Sequence, residues 1–165
     1  YTDAKFQINL SENAFVNKIK SLYNLGIIQK KLQNTELEFA PVDLCANAIV
    51  KIIKSNPKFS VFHICNNQYV KIKDFAKTAK LKLVTDDIFS NTIKEYLNNP
   101  ELRNSISGLI TDLNSNKLFV IENNVFINSN FTNAYLNKLN FNWPNIDNNY
   151  IEKYINDFKE IKYFN

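Results

Sequence analysis

Apolar positions along the chain recur at two spacings, one helical and one strand-like, and these divide it into short elements. Phe15, Ile19, Leu22 and Tyr23 stand at offsets 0, 4, 7 and 8 and predict a helix to about Leu25, which Ser11 can cap. Residues 36–42 alternate polar with apolar and close on Pro41, as a strand does when it stops at a turn. Asp43 is placed to cap a second helix, with Cys45, Ala48, Ile49, Ile52 and Ile53 as its buried stripe and Pro57 beyond its end. Residues 59–65 read FSVFHIC, a short β-rich run that predicts a strand buried on both faces, as in a parallel sheet. Strand, helix and strand in this order make a βαβ-like unit. A helix over 71–80, a short strand over 81–84 and helices over 86–97 and 101–113 follow, and 118–121 with 125–127 predict a small hairpin across Glu122-Asn123-Asn124. Asp147 caps a last helix, with Ile151, Tyr154, Ile155, Phe158 and Ile161 facing inward. The expected class is α/β, predominantly helical, with a few short strands. No linker, charge block or repeat divides residues 1–165, which are read as one subdomain.

Composition narrows the function. At 165 residues and 45% hydrophobic content the chain can bury a core, and no apolar run approaches the ~18–20 residues of a membrane span. Gly26 and Gly108 are the only glycines. Dinucleotide loops and P-loops need clustered glycines for the backbone to approach phosphate, so a stand-alone nucleotide-binding enzyme of either type is excluded. Methionine is absent even at position 1, so Tyr1 is read as other than the natural start, and residues 1–10 lack the apolar stretch of a signal peptide. A cytoplasmic protein is expected. Arg103 is the only arginine and about one residue in six is Asn, a bias that points to an AT-rich gene. The net charge of +4 is modest, and Tyr150 and Tyr154 repeat at core spacing, so no nucleic-acid partner is expected.

Candidate chemistry is sparse. His63, the single histidine, sits inside the apolar run and lacks partners at metal-ligand spacing. Cys45 and Cys65 form no C-x-x-C pair and read as reduced, buried thiols; a Cys45/His63 nucleophile pair would need exposure and a lowered thiol pKa. Glu36 and Glu38 read as a solvated strand face, and Asp86-Asp87 as complements to a helix N-terminus. Tyr-x-x-x-Lys occurs at Tyr1…Lys5 and Tyr69…Lys73, neither placed on a helix, and with eight Tyr both are read as chance.

Residues 39–53, FAPVDLCANAIVKII, resemble extended short-chain dehydrogenase/reductases, and more specifically the thioester reductase domains that end some nonribosomal peptide synthetases. The residues carrying the likeness are Pro41-Val42-Asp43 and, after it, Val61-Phe62-His63-Ile64-Cys65-Asn66. Lys5-Phe6-Gln7-Ile8-Asn9 with Asn13-Ala14-Phe15, Ser107-Gly108-Leu109-Ile110, and Phe141-Asn142-Trp143-Pro144-Asn145-Ile146-Asp147 leading to Tyr150 and Tyr154 extend it over the whole chain in order. The glycine-rich loop, the catalytic Ser/Thr and the functional Tyr-x-x-x-Lys of such reductases lie upstream of the similar region. The resemblance therefore implies the C-terminal, substrate-binding lobe of an extended short-chain reductase, lacking the Rossmann half and inactive alone.

In the intact domain the resemblance implies NADPH as cofactor, with none held by this portion. It also implies an acyl or peptidyl thioester on a carrier protein as substrate, and an aldehyde or alcohol as product. Expected partners are the N-terminal Rossmann half of the same polypeptide and the carrier protein, with self-association through an uncovered strand edge or apolar face. The pocket residues it implies are Phe6, Gln7, Asn9 and Asn13, against the alternative that Phe6 is core and Gln7 and Asn9 are loop polar groups. Trp143-Pro144 reads as a brace for the last helix. The rival to this whole account is a stand-alone helical protein-interaction module without redox function.

Overall fold

The computed structural model describes residues 10–121 and 127–164. The elements are α1 (Ala14–Leu25), β1 (Ile27–Gln29), β2 (Glu36–Glu38), α2 (Val42–Lys54), β3 (Tyr69–Lys71), α3 (Ile72–Thr78) and β4 (Lys82–Val84), then α4 (Asp86–Asn98), α5 (Pro100–Ser105), α6 (Ser107–Ile110), α7 (Asn130–Lys138) and α8 (Asn148–Glu160). The described residues are 55% helical with a few short strands, so the observed class is the expected one. The described residues fall into two compact units, a larger one of 10–36, 71–121 and 147–164, and a smaller one of 37–70 and 127–146.

In the larger unit, β1 and β4 pair in parallel with Ile28 opposite Leu83, and Lys82 N–H donates to Gly26 C=O at 3.0 Å. The cap of α1 is Asn13, whose Oδ1 accepts from Val16 N–H at 3.0 Å. Ser11 falls in the 3-10 turn Leu10–Glu12, which closes through Asn13 N–H on Leu10 C=O and delays the helix past the predicted cap. Gly26, at φ 71°, ends α1. The predicted helix over 101–113 is broken at Ile106 into α5 and α6. The break sends Ile106 into the core and presses Gly108 onto α1, where a Cβ would lie 2.4 Å from Asn17 C=O. Gly108 N–H donates to Ser21 Oγ at 3.0 Å across the same contact.

Buried Gln29 ties three segments of this unit together. Its Nε2 donates to Asp86 Oδ1 at 3.0 Å and its Oε1 accepts from Phe119 N–H at 2.8 Å. The Lys31 ammonium at 2.8 Å, and then Gln29, hold the Asp86 carboxyl below the usual range. Asp147 caps α8 through Tyr150 N–H at 2.9 Å, and Ile151, Tyr154, Ile155 and Phe158 are buried as expected. Ile161 lies just past the end of α8 and is exposed, contrary to expectation. Of the predicted hairpin, residues 122–126 lie outside the described residues, and Phe119 forms a single antiparallel bridge with Leu113.

In the smaller unit α2 packs on α7 around Ala48, Ile52, Leu136 and Phe141, with Leu44, Phe62, Ile64, Tyr135 and Trp143 half-buried against them. Two expectations fail here. Ile49 and Ile53, predicted as core, are 45% and 68% exposed. Residues 59–65 belong to no strand: the chain bends at Ser60, and among the described residues no neighbour offers them a ladder.

Four helices of the molecule close on a left-handed residue that is not glycine: Asn56 after α2, Lys80 after α3, Asn140 after α7 and Lys162 after α8, at φ of 50°, 58°, 55° and 56°. At the last three, the next amide reaches back to the carbonyl five residues earlier: Leu81 to Ala76, Phe141 to Leu136 and Tyr163 to Phe158, at 2.8, 3.0 and 2.9 Å.

Candidate functional site

The residues that carry chemistry in the smaller unit gather around the Pro41 turn. Phe39 is buried, Pro41 occupies the cap position of α2, and its carbonyl accepts from Cys45 N–H at 2.9 Å. Pro41 has no side-chain donor or acceptor, so Asp43 is not the cap predicted from the sequence. Asp43 stands in the first turn, where its charge complements the helix N-terminus.

Asn66 fixes this turn. It is fully buried, its Nδ2 donates to Phe39 C=O at 2.9 Å, its Oδ1 accepts from Gln68 N–H at 2.9 Å, and its N–H donates to Glu38 Oε1 at 3.2 Å. One side chain thus clamps the exit of β2 to the segment following 59–65, which accounts for an Asn at that place in the motif. Partial burial raises the Glu38 carboxyl above its ordinary pKa, opposed by the Asn66 N–H.

Cys45 and Cys65 are free thiols, and only Cys65 is fully buried. Burial, and then the nearby Glu38 charge, push the Cys45 thiol up, which is the reverse of nucleophile activation. His63 points to the exposed side of its segment, and its backbone N–H donates to Thr132 Oγ1 at 3.0 Å. Among the described residues no group of three His, Cys, Asp or Glu could hold a metal ion.

Of the four implied pocket residues, Phe6, Gln7 and Asn9 lie outside the described residues. Asn13 belongs to the larger unit, and its side-chain oxygen is engaged in capping α1.

Sequence reasoning missed α7, which supplies much of this region. Its Phe131 and Tyr135 form an aromatic cluster with Phe59 and Phe62, at ring-centroid distances from 4.8 to 6.3 Å. Its Asn133 accepts from Trp143 Nε1–H at 2.9 Å and donates to Ser129 Oγ at 3.0 Å. Trp143, read from the sequence as a brace for the last helix, is thus held by α7. The spacing of Phe131, Tyr135, Leu136 and Leu139 is the signal that marks this helix.

No protein-family model matches the chain, and no curated protein matches it. Solved structures do. A thiolation-reductase di-domain from an archaeal nonribosomal peptide synthetase is similar over 100% of this chain and 34% of its own, with 26% identity and a TM-score of 0.80. The reductase domain of the aureusimine biosynthetic cluster is similar over 94% of this chain and 40% of its own, at 20% identity and a TM-score of 0.68. The terminal R domain of the myxalamid PKS-NRPS pathway is similar over 93% and 40%, at 16% identity and 0.71. The chain spans between a third and two fifths of the length of these structures. Over its whole length, this chain has the fold of the C-terminal portion of nonribosomal peptide synthetase reductase domains.

Proposed function

We propose that this chain is the substrate-binding, C-terminal portion of an NAD(P)H-dependent thioester reductase, which releases a carrier-bound acyl or peptidyl chain from a nonribosomal peptide synthetase as an aldehyde or alcohol. The observation that carries this reading is the likeness to the thiolation-reductase di-domain, which spans every residue of the chain. The described residues do not fit a dinucleotide. Gly26 ends α1 and Gly108 is pressed against Asn17, so neither glycine is free to let a backbone approach phosphate. Hydride chemistry therefore belongs to an N-terminal Rossmann portion, and this chain contributes binding and orientation. Phe6, Gln7, Asn9 and Asn13 are its proposed pocket residues, and the carrier protein its proposed substrate-bearing partner.

The test has two arms. Titration calorimetry of this chain with NADPH is expected to give no binding, and micromolar affinity would overturn the assignment of the cofactor elsewhere. The reading frame upstream of Tyr1 is expected to encode a Gly-x-x-Gly-x-x-Gly after a strand and then a Tyr-x-x-x-Lys. The product that includes them should oxidise NADPH when given an acyl-pantetheine thioester. A start codon directly before Tyr1, or an extended product inert toward thioesters, would sink the reading.

A further inference from the structure

Charge is spread unevenly along the chain. Residues 71–82 read KIKDFAKTAKLK, five lysines against the single Asp74, a net charge of +4. That equals the net charge of all 165 residues. Taking these five from twenty basic residues, and the one from sixteen acidic, leaves fifteen of each, so the rest of the chain is neutral.

The stretch lies wholly in the larger unit, on α3 and the start of β4. Lys71, Lys73, Lys77, Lys80 and Lys82 are all exposed, while Ile72, Phe75 and Ala76 between them are buried. Lys73, Lys77 and Lys80 stand at offsets 0, 4 and 7, which puts them on one helical face. At 1.5 Å per residue that strip is about 10 Å long. Among the described residues no carboxylate pairs with any of the five.

Helix stability does not account for this arrangement. Lys71 occupies the cap position of α3 and Lys73 its first turn, where the positive end of the helix dipole opposes a cation. Lys73 and Lys77, four residues apart on the same face, repel each other. Only Lys77, in the last turn, and Lys80 just beyond it complement the helix end.

We propose that residues 71–82 form a docking strip for an acidic protein surface, a helix face whose carboxylates repeat every three or four residues. The lysine spacing on α3 is the complement of that repeat, and a neutral remainder confines the attraction to this strip. Nucleic acid is the poorer occupant. The strip has no arginine to grip phosphate with two parallel bonds, and its one aromatic, Phe75, is buried and cannot stack on a base. A bilayer fits no better, since the apolar residues of α3 are spent in the core and leave nothing to insert. This holds whether or not the chain belongs to a reductase.

The probe is an alanine-based helical peptide of about 16 residues with glutamates at the matching three- and four-residue spacing, followed by NMR amide shifts. Shifts should centre on 71–82 and fade as salt rises from about 0.05 to 0.5 M. The same peptide with glutamine for glutamate should produce none. Lys73→Gln with Lys77→Gln should cut affinity about tenfold. The thermal midpoint should not fall, because the helix loses a repulsion. Lys94→Gln with Lys138→Gln, which removes two exposed lysines elsewhere, should change affinity by less than about twofold. Absence of shifts at 71–82, shifts spread over the other lysines, or equal losses from the two double variants would overturn the proposal. So would tighter binding at 71–82 by a DNA duplex of equal charge, which assigns the strip to nucleic acid. Cosedimentation with phosphatidylserine vesicles that Lys73→Gln with Lys77→Gln abolishes would assign it to a membrane instead, and overturn the proposal as well.

Discussion

Helices α8 and α2 are each thirteen residues long and strongly amphipathic, but they use their apolar residues differently. On α8, Ile151, Tyr154, Ile155 and Phe158 make one stripe, all of it buried, and Glu152, Lys153, Asn156 and Glu160 occupy the solvent side. On α2, Ala48 and Ile52 go to the core while Val42, Ile49, Val50 and Ile53 stay open. The larger unit spends the whole pattern of α8 inside it, although Ile88 on α4 and Leu102 on α5 stay open. The smaller unit has a pattern written for more burial than its described residues supply.

The contrast can be broken first where it predicts the largest effect. Phe158 is 1% exposed, stacked on Phe164 at 5.0 Å and edge-on to Tyr154 at 4.7 Å. Phe158→Ala should cost about 3–5 kcal/mol in urea denaturation, the range for emptying a packed aromatic site. Gly108→Ala comes next. The added methyl meets the Asn17 backbone rather than a flexible side chain, so α1 and α6 must separate, at about 1–3 kcal/mol or more by the same measurement. In the smaller unit, Asn66→Ala strands the Phe39 carbonyl and the Gln68 amide and should cost about 1–3 kcal/mol. A cost as large as that of Phe158→Ala would show the two units to be equally committed. At the small end, Ile53→Ala should shift stability of this chain by no more than about 0.5 kcal/mol. A loss of 2 kcal/mol or so would mean that Ile53 is buried in solution and would erase the difference between α2 and α8.

The sequence was legible where a pattern is completed locally. The stripe and Asp147 cap of α8 and the span of α4 depend on neighbours within one or two turns. Ile27-Ile28-Gln29 gives no signal because three residues cannot show alternation, and their partner lies more than fifty residues away at 82–84. Ser11 and Asn13 are both acceptable caps, and the choice was made by a 3-10 turn that leaves no mark in the hydrophobic pattern. Of the site, Asn66 stood inside a recognisable motif, but its role depends on Phe39, twenty-seven residues earlier, which only folding brings to 2.9 Å. Ile49, Ile53 and 59–65 were misread for the opposite reason: the residues do call for burial, and a sequence does not say whose surface provides it.

The helix endings after α2, α3, α7 and α8 bear on how this protein could be improved. Left-handed backbone costs most residues with a side chain about 1–2 kcal/mol relative to glycine, and asparagine less, and here Lys80 and Lys162 bear that strain in full and Asn56 and Asn140 in part. Glycine at each position should raise the thermal midpoint of the chain without altering any core contact, by about 1 kcal/mol at Lys80 and Lys162 and by less at Asn56 and Asn140. A chain with only two glycines leaves a thermostabilising route open, and four substitutions would take it.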